Sequence, residues 1–201
     1  MRGDGAVTLK GRATAGLKSG NSNSRSVGLQ SGPIMSPAPD VIVRPATPAD
    51  LPRIGRLGAL LVDTHHGFDS RRFLAASDGT PARYASFLGT QLENPDVSIL
   101  VAEESGEVVG YAYASIEGYD YMSLRGPAAL LQDLIVEPGH RRRGVGRRLL
   151  DAMLDHLKAR GAPLVVLSTA HRNETAQRLF AQAGFRPTMV EMTRELDEEA
   201  S

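Results

Sequence analysis

Apolar residues along this chain follow two rhythms, one near the helical period of about 3.6 and one near the strand period of 2. Val41-Ile42-Val43 reads as a short strand. Leu51, Ile54, Leu57 and Leu61 then recur at helical spacing and predict an amphipathic helix to about Thr64. Its start is marked by Thr47 as N-cap, Pro48 at the first helical position and Asp50 completing a capping box. Thr80-Pro81 opens a second helix in the same way, with Tyr84, Phe87, Leu88 and Leu92 on one stripe. Val97 to Ala102 and Val108 to Ile116 read as strands joined at Ser105-Gly106, a hairpin. Residues 128–136 form another apolar run, and Val145, Leu149, Leu150, Met153, Leu154 and Leu157 predict a helix from Gly144 to Arg160. A strand at 164–168, a short helix from Asn173 to Ala183 and a last strand from Thr188 to Leu196 complete the pattern. A hairpin followed by β-α-β implies an α/β fold with a mixed sheet and helices on both faces.

The first 40 residues have neither rhythm. Seven Gly, six Ser, two Asn and three Pro leave the apolar positions isolated, so burial cannot offset the entropy of ordering. The expectation is a disordered extension over 1–40 and one folded domain over 41–201. Five basic and two acidic residues in the extension loosely resemble an organelle transit peptide. A plain flexible extension, or a true start at Met35, explains them as well.

Composition narrows the class further. Apolar residues are 41% and charged residues 23% of the 201, ordinary for a globular domain with a core. With no cysteine in the sequence, disulfides, thiolate metal ligands and a covalent cysteine intermediate are excluded. Lysine plus arginine equals aspartate plus glutamate at 23 each, so net charge points to neither nucleic acid nor an anionic membrane. No apolar run reaches the ~18 residues of a membrane span. The expectation is a cytoplasmic protein.

The stretch from Leu134 to Leu150 carries the chemistry. It runs strand, short turn, Gly144-Val145-Gly146 and amphipathic helix. Backbone N–H groups and a helix N-terminus then converge on one spot, which suits an anion. Gly144 and Gly146 remove the Cβ atoms that would hold a phosphate away. Five arginines lie within 141–148, adding positive charge around a polyphosphate. The Gly-Lys-Ser/Thr ending of a P-loop is missing, and so is the third glycine of the dinucleotide fingerprint.

Arg141-Arg142-Arg143-Gly144-Val145-Gly146, after Leu134-Ile135-Val136-Glu137-Pro138, resembles the signature of the GNAT superfamily of acyl-CoA-dependent N-acyltransferases. Asn173, Ala176 and Leu179, followed by Gly184-Phe185, resemble its next motif, and Arg44-Pro45-Ala46-Thr47 with Asp50 its opening. The resemblance covers about 41–196. It implies a mostly antiparallel sheet, acetyl-CoA as co-substrate without a metal, and a small-molecule or peptide amine as acceptor. It implies that amides from Arg141, Arg142, Arg143, Gly144, Val145, Gly146 and Arg147 hold the pyrophosphate. Leu134, Ile135 and Val136 would pair with the pantetheine arm, and the Val136 N–H would polarise the thioester carbonyl. Asn173 would touch the pantetheine, although an ordinary N-cap explains it equally well.

Two departures from the family pattern stand out. The usual tyrosine acid on the last helix is Phe180. The chain after Phe185 has room for one strand where relatives fit two, so the acceptor site is more open or is closed by a second subunit, a homodimer. Asp133 is the candidate base if burial raises its pKa, against a purely structural acceptor role. His65 and His66 fall where the family builds its acceptor pocket, and Tyr119 and Tyr121 are candidate acceptor contacts in 118–126. The rival readings are a non-catalytic acyl-CoA-binding regulatory domain and a nucleic-acid binder using the arginines.

Overall fold

The computed structural model describes residues 40–196. The extension expected over 1–40 lies, apart from Asp40, outside the described residues. Five strands form one sheet in the order β1 (Val41–Pro45), β2 (Val97–Glu104), β3 (Glu107–Glu117), β4 (Ala128–Val136) and β5 (Val165–Leu167). The first three pairings are antiparallel and β4–β5 is parallel, so the sheet is mixed and mostly antiparallel. Four helices cover it: α1 (Leu51–Phe68), α2 (Thr80–Gln91), α3 (Val145–Ala159) and α4 (Glu174–Gln182). Among the described residues no helix is long and apolar enough to cross a membrane.

Strand alternation divides the core between the two faces. Leu100, Ala102, Ala112 and Ala114 pack beneath Val145, Leu149, Met153 and Leu157 of α3, with Phe180 of α4 beside them. Their neighbours Ile99, Val101, Tyr111 and Tyr113 point the other way, onto Ile54 and Leu57 of α1 and Leu88 of α2. The β2–β3 turn is Ser105-Gly106, both at positive φ (53° and 83°), which matches the twist of a tight hairpin.

A buried acid fixes the start of α1. The Asp50 carboxylate accepts hydrogen bonds from Arg44 at 2.8 and 3.0 Å and from the Thr47 N–H and hydroxyl at 2.7 and 2.8 Å. The Arg44 hydrogen bond is the largest influence, and it holds the carboxyl well below the usual range, at about 2. A folded-state pKa below the unfolded one contributes stability that is complete at neutral pH and disappears as pH falls through about 2. Asp50→Asn is therefore expected to lose about 1–2 kcal/mol at neutral pH. In urea melts the gap between variant and parent should close steadily as the solution is acidified below the carboxylate range.

Three expectations are corrected. Helix α1 runs to Phe68, beyond Thr64, because His65 and Phe68 extend the stripe of Leu61 by steps of four and three. Phe87, expected on the buried stripe of α2, is half exposed, with its ring set roughly perpendicular to that of Tyr113. The strand expected from Thr188 to Leu196 does not form: these residues join no ladder, and Met189, Val190, Met192 and Leu196 are 77–90% exposed. Val190, Met192 and Leu196 do fall on alternate positions, but charged residues crowd the segment and no described strand offers it a partner edge. Ion pairs of Arg72 with Glu191 and Arg71 with Glu195 tie the segment to the α1–α2 connection instead.

Candidate active site

Strand β4 organises the site, and its irregularity decides which way its side chains point. Tyr113 pairs with Asp133, but Ala114 pairs with Leu131, so Gln132 is an extra residue in the ladder. A bulge of this kind reverses the facing of everything beyond it. Ala129 and Leu131 belong to the α3 side, whereas Ile135 joins the α1–α2 core. Asp133, two residues before Ile135, therefore points to the α1–α2 face as well.

There the Asp133 carboxylate is buried, and its Oδ2 accepts hydrogen bonds from Tyr84 at 2.9 Å and Tyr111 at 2.8 Å. Gly58 makes the first of these possible, because a Cβ at that position would overlap the Tyr84 ring. Burial pushes the Asp133 carboxyl above its ordinary value, against the two phenols and the charge of His65, which favour the ionised form. Burial and the Asp133 charge push both phenols upward too, so they remain donors at neutral pH.

Asp133 and Gln132 form one wall of a cleft of about 340 Å³. Leu61, Val62 and His65 of α1 and Arg72, Phe73 and Leu74 of the α1–α2 connection line the rest of it. The structure thus brings His65 and Asp133 to one cavity. His66 turns away, with Nδ1 2.9 Å from the Phe73 carbonyl oxygen. Tyr119 and Tyr121 lie outside the cleft lining, stacked on each other at 6.3 Å in the exposed β3–β4 loop.

The other side of β4 is a slot. The Glu137 N–H donates to the Val109 carbonyl at 2.9 Å, which makes Val109 and Glu137 a bonded pair. Bonded and non-bonded pairs alternate in an antiparallel ladder, so Gly110–Val136 and Ala112–Leu134 are non-bonded pairs. The backbone groups of Leu134 and Val136 consequently face β5. The β4–β5 ladder ends at Leu131–Leu167, leaving these groups unpaired by any described strand. Arg141 Nε takes up the Val136 carbonyl at 2.8 Å, and the Leu134 and Val136 N–H groups look into the gap.

At the end of this slot the chain makes its Gly-rich turn. Arg142 has φ 61° and Gly144, the residue before α3, has φ 85°, so successive amides turn toward one side, as in an anion nest. A Cβ on Gly144 would meet nothing within 4 Å, and one on Gly146 would sit 3.6 Å from Val136 and 3.8 Å from Leu179. The cradle is open beside Gly144 and snug beside Gly146, which fits an elongated anionic ligand entering from the helix end.

The arginine run divides rather than forming one cationic face. Arg143 is held by the buried Glu104 at 2.8 Å, which also takes His140 Nδ1 at 2.6 Å. Arg147 pairs with Asp151 at 2.7 Å and Arg148 reaches the Val41 carbonyl at 3.2 Å. Arg143 and His140 thus brace the loop on Glu104. Asn173 caps α4 by accepting from the Ala176 N–H at 3.1 Å. Phe180 is buried with its edge toward Phe185 at 5.8 Å.

The sequence reading missed the two tyrosines that hold Asp133. The available signal was Gln132-Asp133, a polar pair interrupting an apolar run, which marks both the bulge and the acid.

Comparisons with known proteins agree with this geometry. Residues 58–185 match the acetyltransferase (GNAT) family. The chain is 36% identical over 102 residues to the uncharacterised N-acetyltransferase YhfO of Bacillus subtilis, covering 50% of this chain and 66% of that protein. It is 31% identical over 94 residues to L-methionine sulfoximine/L-methionine sulfone acetyltransferase of Salmonella typhimurium, covering 45% and 51%. The matches thus span between half and two thirds of these relatives' lengths. The solved structure of aminoglycoside N-acetyltransferase AAC(6')-Iy in complex with CoA shares the fold with a TM-score of 0.61 at 20% identity, over 80% of this chain and 98% of that one.

Proposed function

The chain belongs to the GNAT acetyltransferase family, and from that premise we propose that it transfers an acetyl group from acetyl-CoA to a primary amine by direct attack in a ternary complex. One observation carries the reading. The unpaired edge of Leu134 to Val136 links the amide nest before α3 to the position of Asp133 along a single strand. An anionic group held at the nest and an extended arm lying in the slot would bring a reacting carbonyl beside the cleft where the acceptor enters.

In this reading acetyl-CoA supplies the activated thioester. The amides from Arg141 to Arg147 bind its diphosphate, and the Leu134 and Val136 edge pairs with the amides of its arm. The Val136 N–H faces the carbonyl oxygen and stabilises charge developing there. On the other face the Asp133 carboxylate, fixed by Tyr84 and Tyr111, attracts the acceptor ammonium into a cleft whose remaining walls are largely apolar. Since the sequence has no cysteine, no acetyl-thioester enzyme step is available, and the amine attacks the bound thioester itself. Phe180 donates no proton, but a thiol with a reference pKa of about 8.5 leaves acceptably as thiolate near neutrality.

The buried Phe180 also supports a second reading, an acyl-CoA-binding regulatory domain without turnover. A panel of primary amines, assayed for acetyl-CoA-dependent release of CoA thiol, separates the two. Turnover with at least one amine, together with the mass of its N-acetyl product, is the expected result. Tight acetyl-CoA binding with no thiol release across the panel would favour the regulatory reading.

A further inference from the structure

His65 is held in one protonation pattern. Its Nδ1 lies 2.9 Å from the Leu61 carbonyl oxygen, a group that can only accept, so Nδ1 carries the ring hydrogen. In the neutral imidazole the lone pair is then on Nε2. Phe68 and Phe73 fix the ring by edge contacts at 6.1 and 5.2 Å. The same ring lines the cleft that Asp133 lines. Asp133 already takes two phenol hydrogen bonds on Oδ2, which fixes the carboxyl group in place as an anchor for a cation and leaves Nε2 as the free basic atom of the cleft. Building on the acyl-transfer reading, we propose that His65 Nε2 is the base that deprotonates the acceptor, with Asp133 anchoring the acceptor ammonium and then the imidazolium.

The ammonium gives one proton to Nε2 and becomes the neutral amine. Its lone pair forms the C–N bond with the thioester carbonyl carbon, and the C–S bond breaks with its electron pair going to sulfur. The second proton leaves the new amide nitrogen for the departing thiolate, and Nε2 returns its proton to solvent.

Other charges around the cleft are accounted for. Asp133 comes from β4, with Tyr84 of α2 and Tyr111 of β3 behind it as neutral donors. Arg72, from the connection after α1, is paired with Glu191. On α1 itself Asp63 is exposed, and His66 is turned to the Phe73 carbonyl. Arg172 donates to the Phe68 carbonyl at the end of that helix, at 2.9 Å.

The test has one arm that needs no acceptor. Long-range proton–nitrogen NMR of the full chain should show His65 with Nδ1 protonated and Nε2 bare; the opposite tautomer overturns the proposal. In the second arm, the most active amine of the panel is used with His65→Gln and His65→Ala. Acetyl-CoA affinity measured by calorimetry should be unchanged, while kcat/KM falls by ~10²-fold or more. Added imidazole should restore part of the His65→Ala turnover. A His65→Gln variant that keeps the parent's kcat/KM, or a His65→Ala defect that imidazole does not relieve, contradicts the base assignment alone. A wild-type chain that binds acetyl-CoA yet acetylates no amine overturns the acyl-transfer reading, and this proposal with it.

Discussion

Gly144→Asp is expected to weaken acetyl-CoA binding by at least ~10-fold, on the order of 1.4 kcal/mol, while Gly144→Asn leaves it within a few-fold. Gly144 stands at φ 85°, in the left-handed region, immediately before α3. A valine there would confuse strain with loss of the site, because a branched side chain adopts this conformation at high cost. Asparagine and aspartate tolerate it best among residues with a side chain, and both would project into open space. They are nearly the same shape and differ in charge. An anion placed beside the amide nest would oppose the diphosphate directly, so the difference between the two variants reads electrostatics at the site. Calorimetry with acetyl-CoA on both variants, each first shown to melt like the parent, decides it. Equal affinities would place the diphosphate elsewhere.

Phe180→Ala is expected to destabilise the fold by about 3–5 kcal/mol, the usual cost of removing a buried aromatic ring. The ring packs in the cluster that includes Val136 and Val145 and meets Phe185 edge-on at 5.8 Å, so it joins α4 to β4 and α3. For a domain of this size such a loss lowers the melting temperature on the order of 10 °C. Phe180→Tyr keeps the ring and should fold. If the thiolate departs without a protein acid, the added hydroxyl changes kcat by far less than the ~10²-fold that general acid catalysis typically supplies. A gain of that size would mean that the natural chain lacks an acid its chemistry can use.

Much of this architecture is legible in the sequence because local and tertiary signals agree there. The Thr47-to-Asp50 cap, the Ser105-Gly106 turn and the α3 stripe each satisfy a local rule that the packed sheet also needs. The amide nest is legible for the same reason, since two glycines between a strand and a helix have few other uses. What escapes the sequence depends on pairing partners far along the chain. The bulge at Gln132 exists only against β3, and without it Asp133 would face α3 instead of the cleft. Tyr84 reads as a core residue of α2, and only the close approach of Gly58 aims its hydroxyl at Asp133. The arginines read as one cationic cluster because Glu104, the partner of Arg143, lies on β2, which only the fold brings near, although Asp151, the partner of Arg147, is just one turn on in α3. The segment after Phe185 reads as a strand from its composition, yet a strand needs a ladder and a buried face, and it has neither.

The central claim is that one strand edge joins the anion nest to the acceptor cleft, and an amide-resolved NMR titration with acetyl-CoA tests it most directly. Saturable shifts are expected at Leu134, Val136, Val145 and Gly146, spreading to His65 and Asp133 at the cleft and sparing Tyr119 and Tyr121. Desulfo-CoA, which keeps the diphosphate but carries no thioester, should reproduce the changes around Gly144 and leave those at Asp133 and His65 largely absent. Saturable binding that leaves Leu134 to Gly146 unmoved, or that shifts residues away from the β4–β5 slot, would contradict the account.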